Sequence, residues 1–434
     1  MNNYEKEMNM SLTKEVYQAY CDILKEELRL AMGCTEPIAI AYCGALVRKH
    51  LGNIPSKVVI KVSGNIIKNV KSVTVPNTLG LCGIDTACAV GILGGDASKL
   101  LEVIADVKED IALSIPNYIK ENDFTTLHAD NEHTLYIEII GFYENDYVKV
   151  IIEDGHTNVV LIEKNDNIIF KNDKELSKKK TELDHSVLNI QDIVTFADIC
   201  NIADVKEKLD MQIALNMAIA EEGMKNNYGA NIGKTILKYS CNSVIEKMKA
   251  YAAAGSDARM NGWELPVIIN AGSGNQGMTA SLPVIEYAKE LNSSEEQLYR
   301  ALLVSNLITI HQKTGIGRLS AYCGAISAGC GAGCGIAYLK GGDFKCIAHT
   351  LVNALAIVSG IVCDGAKPSC AGKIASAVDA GILGYEMYCQ GEEFRGGDGI
   401  LSKGVENTIR NISRLGSIGM KETDKEIIQI MTDC

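Results

Sequence analysis

Near residue 188 the chain changes character, and that switch limits its possible folds more than any other feature. Before it, short β-rich runs mix with helical stretches; after it, long apolar segments rich in alanine and glycine dominate. Leu135-Tyr-Ile-Glu-Ile-Ile, Val148-Lys-Val-Ile-Ile, Val159-Val-Leu-Ile and Ile168-Ile-Phe are separated by Glu144-Asn145-Asp146 and similar turns, the pattern of an antiparallel meander. Val58-Val-Ile-Lys-Val-Ser63 and Val70-Lys-Ser-Val-Thr-Val75 predict two further strands. Helices are expected over 14–31, from Pro37 to Lys49, and over 82–93, 98–105 and 107–120. Beyond the switch they are expected over 191–225, 230–254, 276–291, 295–312, 318–339, 344–360 and 371–388, some broken in the middle. The fold class is therefore α+β. A mixed α/β domain with an antiparallel strand-rich segment, residues 1–189, precedes a mostly α-helical domain, residues 190–434. The charge-dense stretch Lys171–Asp184 reads as a solvated linker.

A net charge of −12 argues against non-specific binding to nucleic acid or anionic membrane. Leu319–Leu339 and Cys346–Cys363 lack Asp, Glu, Lys and Arg, but Gly, Ser, Asn and His dilute them, so they read as core helices rather than membrane spans. The first residues lack the basic and apolar regions of a signal peptide, so a cytoplasmic protein is expected. Fifteen dispersed cysteines fit a reducing compartment rather than a disulfide framework. Cys21, Cys43, Cys88, Cys200 and Cys241, in apolar helical context, read as small core residues.

A second set of cysteines is embedded in glycine-rich turns: Cys323, then Cys363 and Cys370, with Cys330 and Cys334 downstream of the first. Thiolates are soft ligands. The spacing lacks the paired Cys-x2–4-Cys hooks of structural zinc sites. Three cysteines distributed as one plus two suit a [4Fe–4S] cluster with one iron left open as a Lewis acid. Gly324, Gly365 and Gly372 would let the backbone approach it. Cys330 and Cys334 are alternative ligands on the same expected helix, or its packing residues.

In Gly33-Cys34-Thr-Glu-Pro37 the proline favours the first helical turn, which puts Cys34 just outside a helix N-terminus. The dipole there would lower the thiol pKa and make Cys34 a base or nucleophile. Ala271-Gly-Ser-Gly-Asn-Gln-Gly277 feeds a helix with backbone N–H groups suited to an anion, without either nucleotide-binding glycine pattern. His311-Gln-Lys-Thr-Gly-Ile-Gly-Arg318 sets three basic groups just upstream of Cys323, where they could bind a carboxylate or offset a cluster's charge. Ser63-Gly-Asn65 and Pro76-Asn-Thr78 end the two expected strands as small polar turns.

Taken together, Gly33-Cys-Thr-Glu-Pro37, Asn77-Thr78, Gly272-Ser-Gly-Asn-Gln-Gly277, Gly317-Arg-Leu-Ser-Ala-Tyr-Cys323-Gly and Cys363-Asp-Gly-Ala-Lys-Pro-Ser-Cys370 resemble the L-cysteine desulfidase family, relatives of the iron–sulfur L-serine dehydratases. The resemblance spans nearly the whole chain. It implies an oxygen-sensitive [4Fe–4S] cluster on Cys323, Cys363 and Cys370, with no pyridoxal phosphate. It also implies a base at Cys34 and contacts to a small amino-acid substrate from Ser63, Asn65, Asn77, Thr78, Ser273, Gly274, Asn275, Gln276 and Arg318. The implied reaction is β-elimination of L-cysteine to hydrogen sulfide, pyruvate and ammonia. Related serine dehydratases place a C-terminal cysteine on the open iron; Cys434 matches them no further, and a free end is expected there. A serine or threonine dehydratase on the same fold is the nearest alternative. A pyridoxal-phosphate lyase using the Ser273–Gly277 loop would leave the cysteines unexplained, and an iron–sulfur sensor would lack a DNA-binding motif. A homodimer is the default expectation.

Overall fold

The computed structural model describes residues 12–129, 131, 133–172, 183–240 and 243–432. In chain order the first elements are α1 (Lys14–Glu27), β1 (Leu30–Met32), α2 (Thr35–Leu51), β2 (Lys57–Val62), α3 (Gly64–Val70), α4 (Ile84–Gly94), α5 (Glu109–Glu121) and β3 (Asp123–His128). The meander follows as β4 (Tyr136–Tyr143), β5 (Asp146–Glu153), β6 (Val159–Lys164) and β7 (Asn167–Lys171). Next come α6 (Ile190–Ile199), α7 (Lys206–Lys225), α8 (Ile232–Tyr239), α9 (Val244–Met260) and β8 (Pro266–Ile268). The rest is helical: α10 (Gly274–Glu290), α11 (Glu295–Ile316), α12 (Gly324–Leu339), α13 (Phe344–Val358), α14 (Cys370–Cys389), α15 (Val405–Arg414) and α16 (Lys421–Thr432). The α+β class stands.

The six-stranded sheet runs β3-β2-β4-β5-β6-β7, antiparallel throughout except for the parallel β2–β3 pair. Val58, Ile60 and Val62 alternate inward along β2, and Ile137 and Ile139 do so on β4, so one sheet face is apolar. That face packs on α2 and α4, where Ile38, Ile40, Cys43 and Val47 meet Ala87, Val90 and Ile92 in one core. A second core gathers the helices after residue 188 and draws in Tyr20, Ile23, Leu24 and Leu28 of α1. The first helix thus packs with the later half of the chain. Met32–Leu30 pairs with Pro266–Ile268 between the two cores.

Several expectations are corrected. Val70–Val75 is not a strand: Val70 closes α3, and Val73 and Val75 fold back in a turn in which Val75 N–H donates to Leu81 O at 2.9 Å. Ile66 and Val70, spaced i and i+4, bury one helix face, a period that a short β-branched run disguises. The expected helix 318–339 begins only at Gly324, because Gly317 at φ +94° ends α11 and the intervening residues form a loop. Strand β3 and helices α15 and α16 had no counterpart in the sequence reading. Residues 173–182 of the expected linker, Cys241 and Cys434 lie outside the described residues.

Candidate active site

Cys323, Cys363 and Cys370 come from three different local structures. Tyr322 and Val362 form an isolated antiparallel bridge, with Cys363 N–H donating to Ala321 O at 2.6 Å and Cys323 N–H to Ile361 O at 3.3 Å. This bridge sets Cys323, the residue capping α12, beside Cys363. Cys370 opens α14 and closes the loop that begins at Cys363. Inside that loop Asp364 accepts from both Lys367 and Lys373, clamping the turn. Those hydrogen bonds outweigh burial and hold the Asp364 carboxyl down at about 2.

All three cysteines line one cavity of about 100 Å³, together with Cys34, Glu36, Asn69, Arg259, Ser273, Asn275, Gln276, Lys313 and Arg318. The neighbouring Cys323 thiol, aided by the charges of Lys68 and Lys373, favours a thiolate at Cys363 against the cost of burial. Burial pulls the Lys313 ammonium down to about 8, while Cys363 and Cys323 oppose that pull. Three convergent sulfurs, one already drawn toward the thiolate, with cationic side chains around them, fit a soft metal or an anionic iron–sulfur cluster. Cys330 and Cys334 do not line this cavity; both are fully buried within α12.

The glycines near the cysteines do other work than expected. A Cβ on Gly324 would lie 2.7 Å from the Gln276 side chain, and one on Gly365, at φ +97°, would lie 2.1 Å from Lys68 O. These two glycines therefore admit protein groups, while Gly372 faces open space. Lys68 is itself 1% exposed and its ammonium pairs with Asp424 of α16, so the cysteine loop leans on a buried ion pair.

Cys34 caps α2 as expected, at φ −78°. Its thiol state is a correction. Burial, with Glu36 next in weight, pushes the thiol well above its ordinary range and overrides the helix dipole, although Arg259 pulls the other way. The Cys34 thiol donates to Glu36 Oε2 at 3.1 Å, and Glu36 Oε1 accepts from Asn69 Nδ2 at 3.2 Å. Burial would raise the Glu36 carboxyl, but His156, whose Nε2 lies 3.9 Å from Oε1, and the Cys34 thiol outweigh it and hold it at about 2. His156 arrives from the β5–β6 connection. Sequence reading singled out neither it nor Arg259.

The expected substrate contacts divide. Ser273, Asn275 and Gln276 line the cavity at the start of α10, and Gly274 leaves room for Arg259, whose Nε would lie 2.4 Å from a Cβ there. Arg318 also lines it, but its guanidinium is tied to Glu27 Oε1 at 2.9 Å. Asn65, on α3, is buried with its Oδ1 unpartnered but does not line the cavity. Ser63, Asn77 and Thr78 are committed to the backbone. Ser63 Oγ donates to Thr134 O at 3.0 Å, Asn77 Nδ2 to Ile104 O at 2.7 Å, and Thr78 Oγ1 to Val75 O at 2.7 Å. None of these three borders the cavity. His311 lies within α11 rather than in a turn, and its Nε2 is 2.7 Å from Glu406 Oε2.

The family described as the serine dehydratase alpha chain matches residues 110–429. The chain is similar to a UPF0597 protein of Desulfitobacterium hafniense, 62% identical over 424 residues, covering 98% of this chain and 99% of that protein. A UPF0597 protein of Treponema denticola is 46% identical over 428 residues, covering 97% and 99%. One from Bacteroides thetaiotaomicron is 38% identical over 418 residues, covering 95% and 96%.

Proposed function

The chain belongs to the serine dehydratase alpha chain family, and we propose that it is an iron–sulfur lyase that eliminates hydrogen sulfide from L-cysteine. The aminoacrylate left behind hydrolyses to pyruvate and ammonia. One observation carries this reading: Cys323, Cys363 and Cys370 border a single small cavity together with Cys34 and the buried cation Arg259.

Cys323, Cys363 and Cys370 would hold a [4Fe–4S] cluster. Such a cluster, when bound, supplies an iron without a protein ligand, a Lewis acid for the leaving group. The chain's own groups then do the rest. Ser273, Asn275 and Gln276 at the start of α10 orient the amino acid by its polar ends. Cys34, once it has lost its thiol proton, a loss that the charge of Arg259 favours, takes the proton from the substrate Cα; the released electron pair forms the Cα=Cβ bond as the Cβ–S bond breaks and its pair leaves with sulfide. Pyridoxal phosphate has no part in this scheme. Among the described residues no helix is long and apolar enough to cross a membrane. We further propose a homodimer working in the reducing cytoplasm, where the fifteen cysteines form no disulfides.

The family description favours a second substrate, L-serine, with hydroxide leaving in place of sulfide. One experiment separates these readings. Protein purified without oxygen is assayed for sulfide from L-cysteine and for pyruvate from L-serine, with its absorption recorded. Broad absorption near 400 nm and sulfide release support the proposal. Pyruvate from serine alone transfers it to the dehydratase, and a sharp pyridoxal band removes the cluster mechanism.

A further inference from the structure

Arg259, at the end of α9, is 2% exposed, and no carboxylate pairs with it among the described residues. Its Nη1 donates to Asn275 Oδ1 at 3.2 Å, which fixes the plane of the guanidinium, while its Nε is buried without a partner. A buried guanidinium is costly unless an anion completes its fork of donors. Gln276, 4% exposed on the first turn of α10, is the neighbouring oddity: its Oε1 is buried without a partner. Arg259 lies against Gly274, and Gln276 against Gly324, so the two unspent groups enter the cavity from α9 and α10. Arg318 is a poorer anchor, with a side chain 44% exposed and a charge already matched by Glu27.

We propose that Arg259 is the carboxylate anchor of this site and Gln276 its companion for the ammonium, so that the cavity selects free α-amino acids as zwitterions. The inference rests on the reading of the site as an amino-acid lyase and assigns to Arg259 the role that sequence analysis gave to Arg318. A carboxylate on Arg259 also holds the substrate Cα beside Cys34, whose thiol feels the Arg259 charge.

The test measures binding to cluster-free protein by calorimetry, with L-alanine and L-alaninamide as probes that cannot undergo elimination. A lost charge-assisted contact is worth about 1.5–3 kcal/mol, so the wild type should prefer L-alanine by about 10- to 150-fold. Arg259→Gln should erase that preference, Arg259→Lys should restore part of it, and Arg318→Gln should keep it. Retained discrimination in Arg259→Gln overturns the proposal, as does equal binding of both probes by the wild type. Thermal unfolding of Arg259→Lys guards against a folding artefact. If the probes behave as expected while the loaded wild type eliminates nothing, the lyase reading fails and the anchor stands. If sulfide is released but discrimination survives in Arg259→Gln, the anchor alone fails.

Discussion

The Cys34 thiol donates to Glu36 Oε2 at 3.1 Å, so the proposed base is hydrogen-bonded to a carboxylate two residues along the chain. The pair is buried together, and the strongly acidic Glu36 carboxyl keeps the proton on sulfur at rest. Cys34→Ala and Cys34→Ser should therefore retain iron but slow exchange of the substrate α-proton with solvent by about 10²–10⁴-fold. Exchange followed by proton NMR in deuterated buffer checks this, and an unchanged rate takes Cys34 out of the chemistry.

Iron content would separate the proposed ligand cysteines from the packing cysteines. Cys323→Ala, Cys363→Ala and Cys370→Ala should each give protein under-loaded in iron and sulfide after anaerobic reconstitution. Cys330→Ala and Cys334→Ala, which touch only the interior of α12 and its neighbours, should load normally. Normal loading of Cys363→Ala would refute the assignment.

Gly33 is required by its neighbour as well as by its backbone. At φ +60°, any Cβ there would lie 2.3 Å from Pro76 Cγ. Gly33→Ala should lose about 1–2 kcal/mol to the left-handed backbone and about 1–3 kcal/mol to the clash. Adding Pro76→Ala should recover the second part only, as read from urea unfolding.

Asp257 gives a pH signature. Burial raises its carboxyl to about 6, against the Gly233 N–H that donates to Oδ2 at 3.0 Å. The unfolded chain ionises this group near the ordinary value of about 3.9, so the folded state holds the proton more tightly. Its stabilising effect is full below that value and is lost as pH rises through about 6. Asp257→Asn, which cannot ionise, should be more stable than the wild type at pH 8, with the advantage shrinking by pH 5. Melting temperatures across that range check the trend, and a constant difference would contradict it.

Breaking the Lys68–Asp424 pair on one side should be worse than removing it. Asp424→Asn strands a lysine that is 1% exposed, a loss of about 3–5 kcal/mol by analogy with other buried pairs. Lys68→Met with Asp424→Leu should recover much of that stability, which chemical unfolding would measure.

The grouping of Cys323, Cys363 and Cys370 at one cavity was legible because cysteines in glycine turns are chemically conspicuous, and the strand meander because alternation survives in short runs. What escaped was whatever the topology alone brings in. His156 reaches Glu36 from 120 residues away across the sheet, and no local pattern announces it. Arg259 did leave a signal: an arginine inside the Ala- and Gly-rich run 250–260, whose surroundings read as core, where an unpaired charge calls for a ligand. Ser63, Asn77 and Thr78 misled for the converse reason, since small polar residues at element ends serve their own turns as readily as a ligand. Helix α15 was hidden by its charges, although Val405, Ile409 and Ile412 carry the helical period.

Lys68 and Asp424 are separated by 356 positions. Synthesis runs from the N-terminus, so Lys68 emerges long before its counter-ion, and at about 5–20 residues per second the wait lasts tens of seconds. The loop holding Cys363 and Cys370 is also made before Asp424, and the support it rests on is neutralised only afterwards. The cysteine loop is thus among the last places to settle, and delivery of the proposed cluster would follow translation of α16 rather than accompany the growing chain.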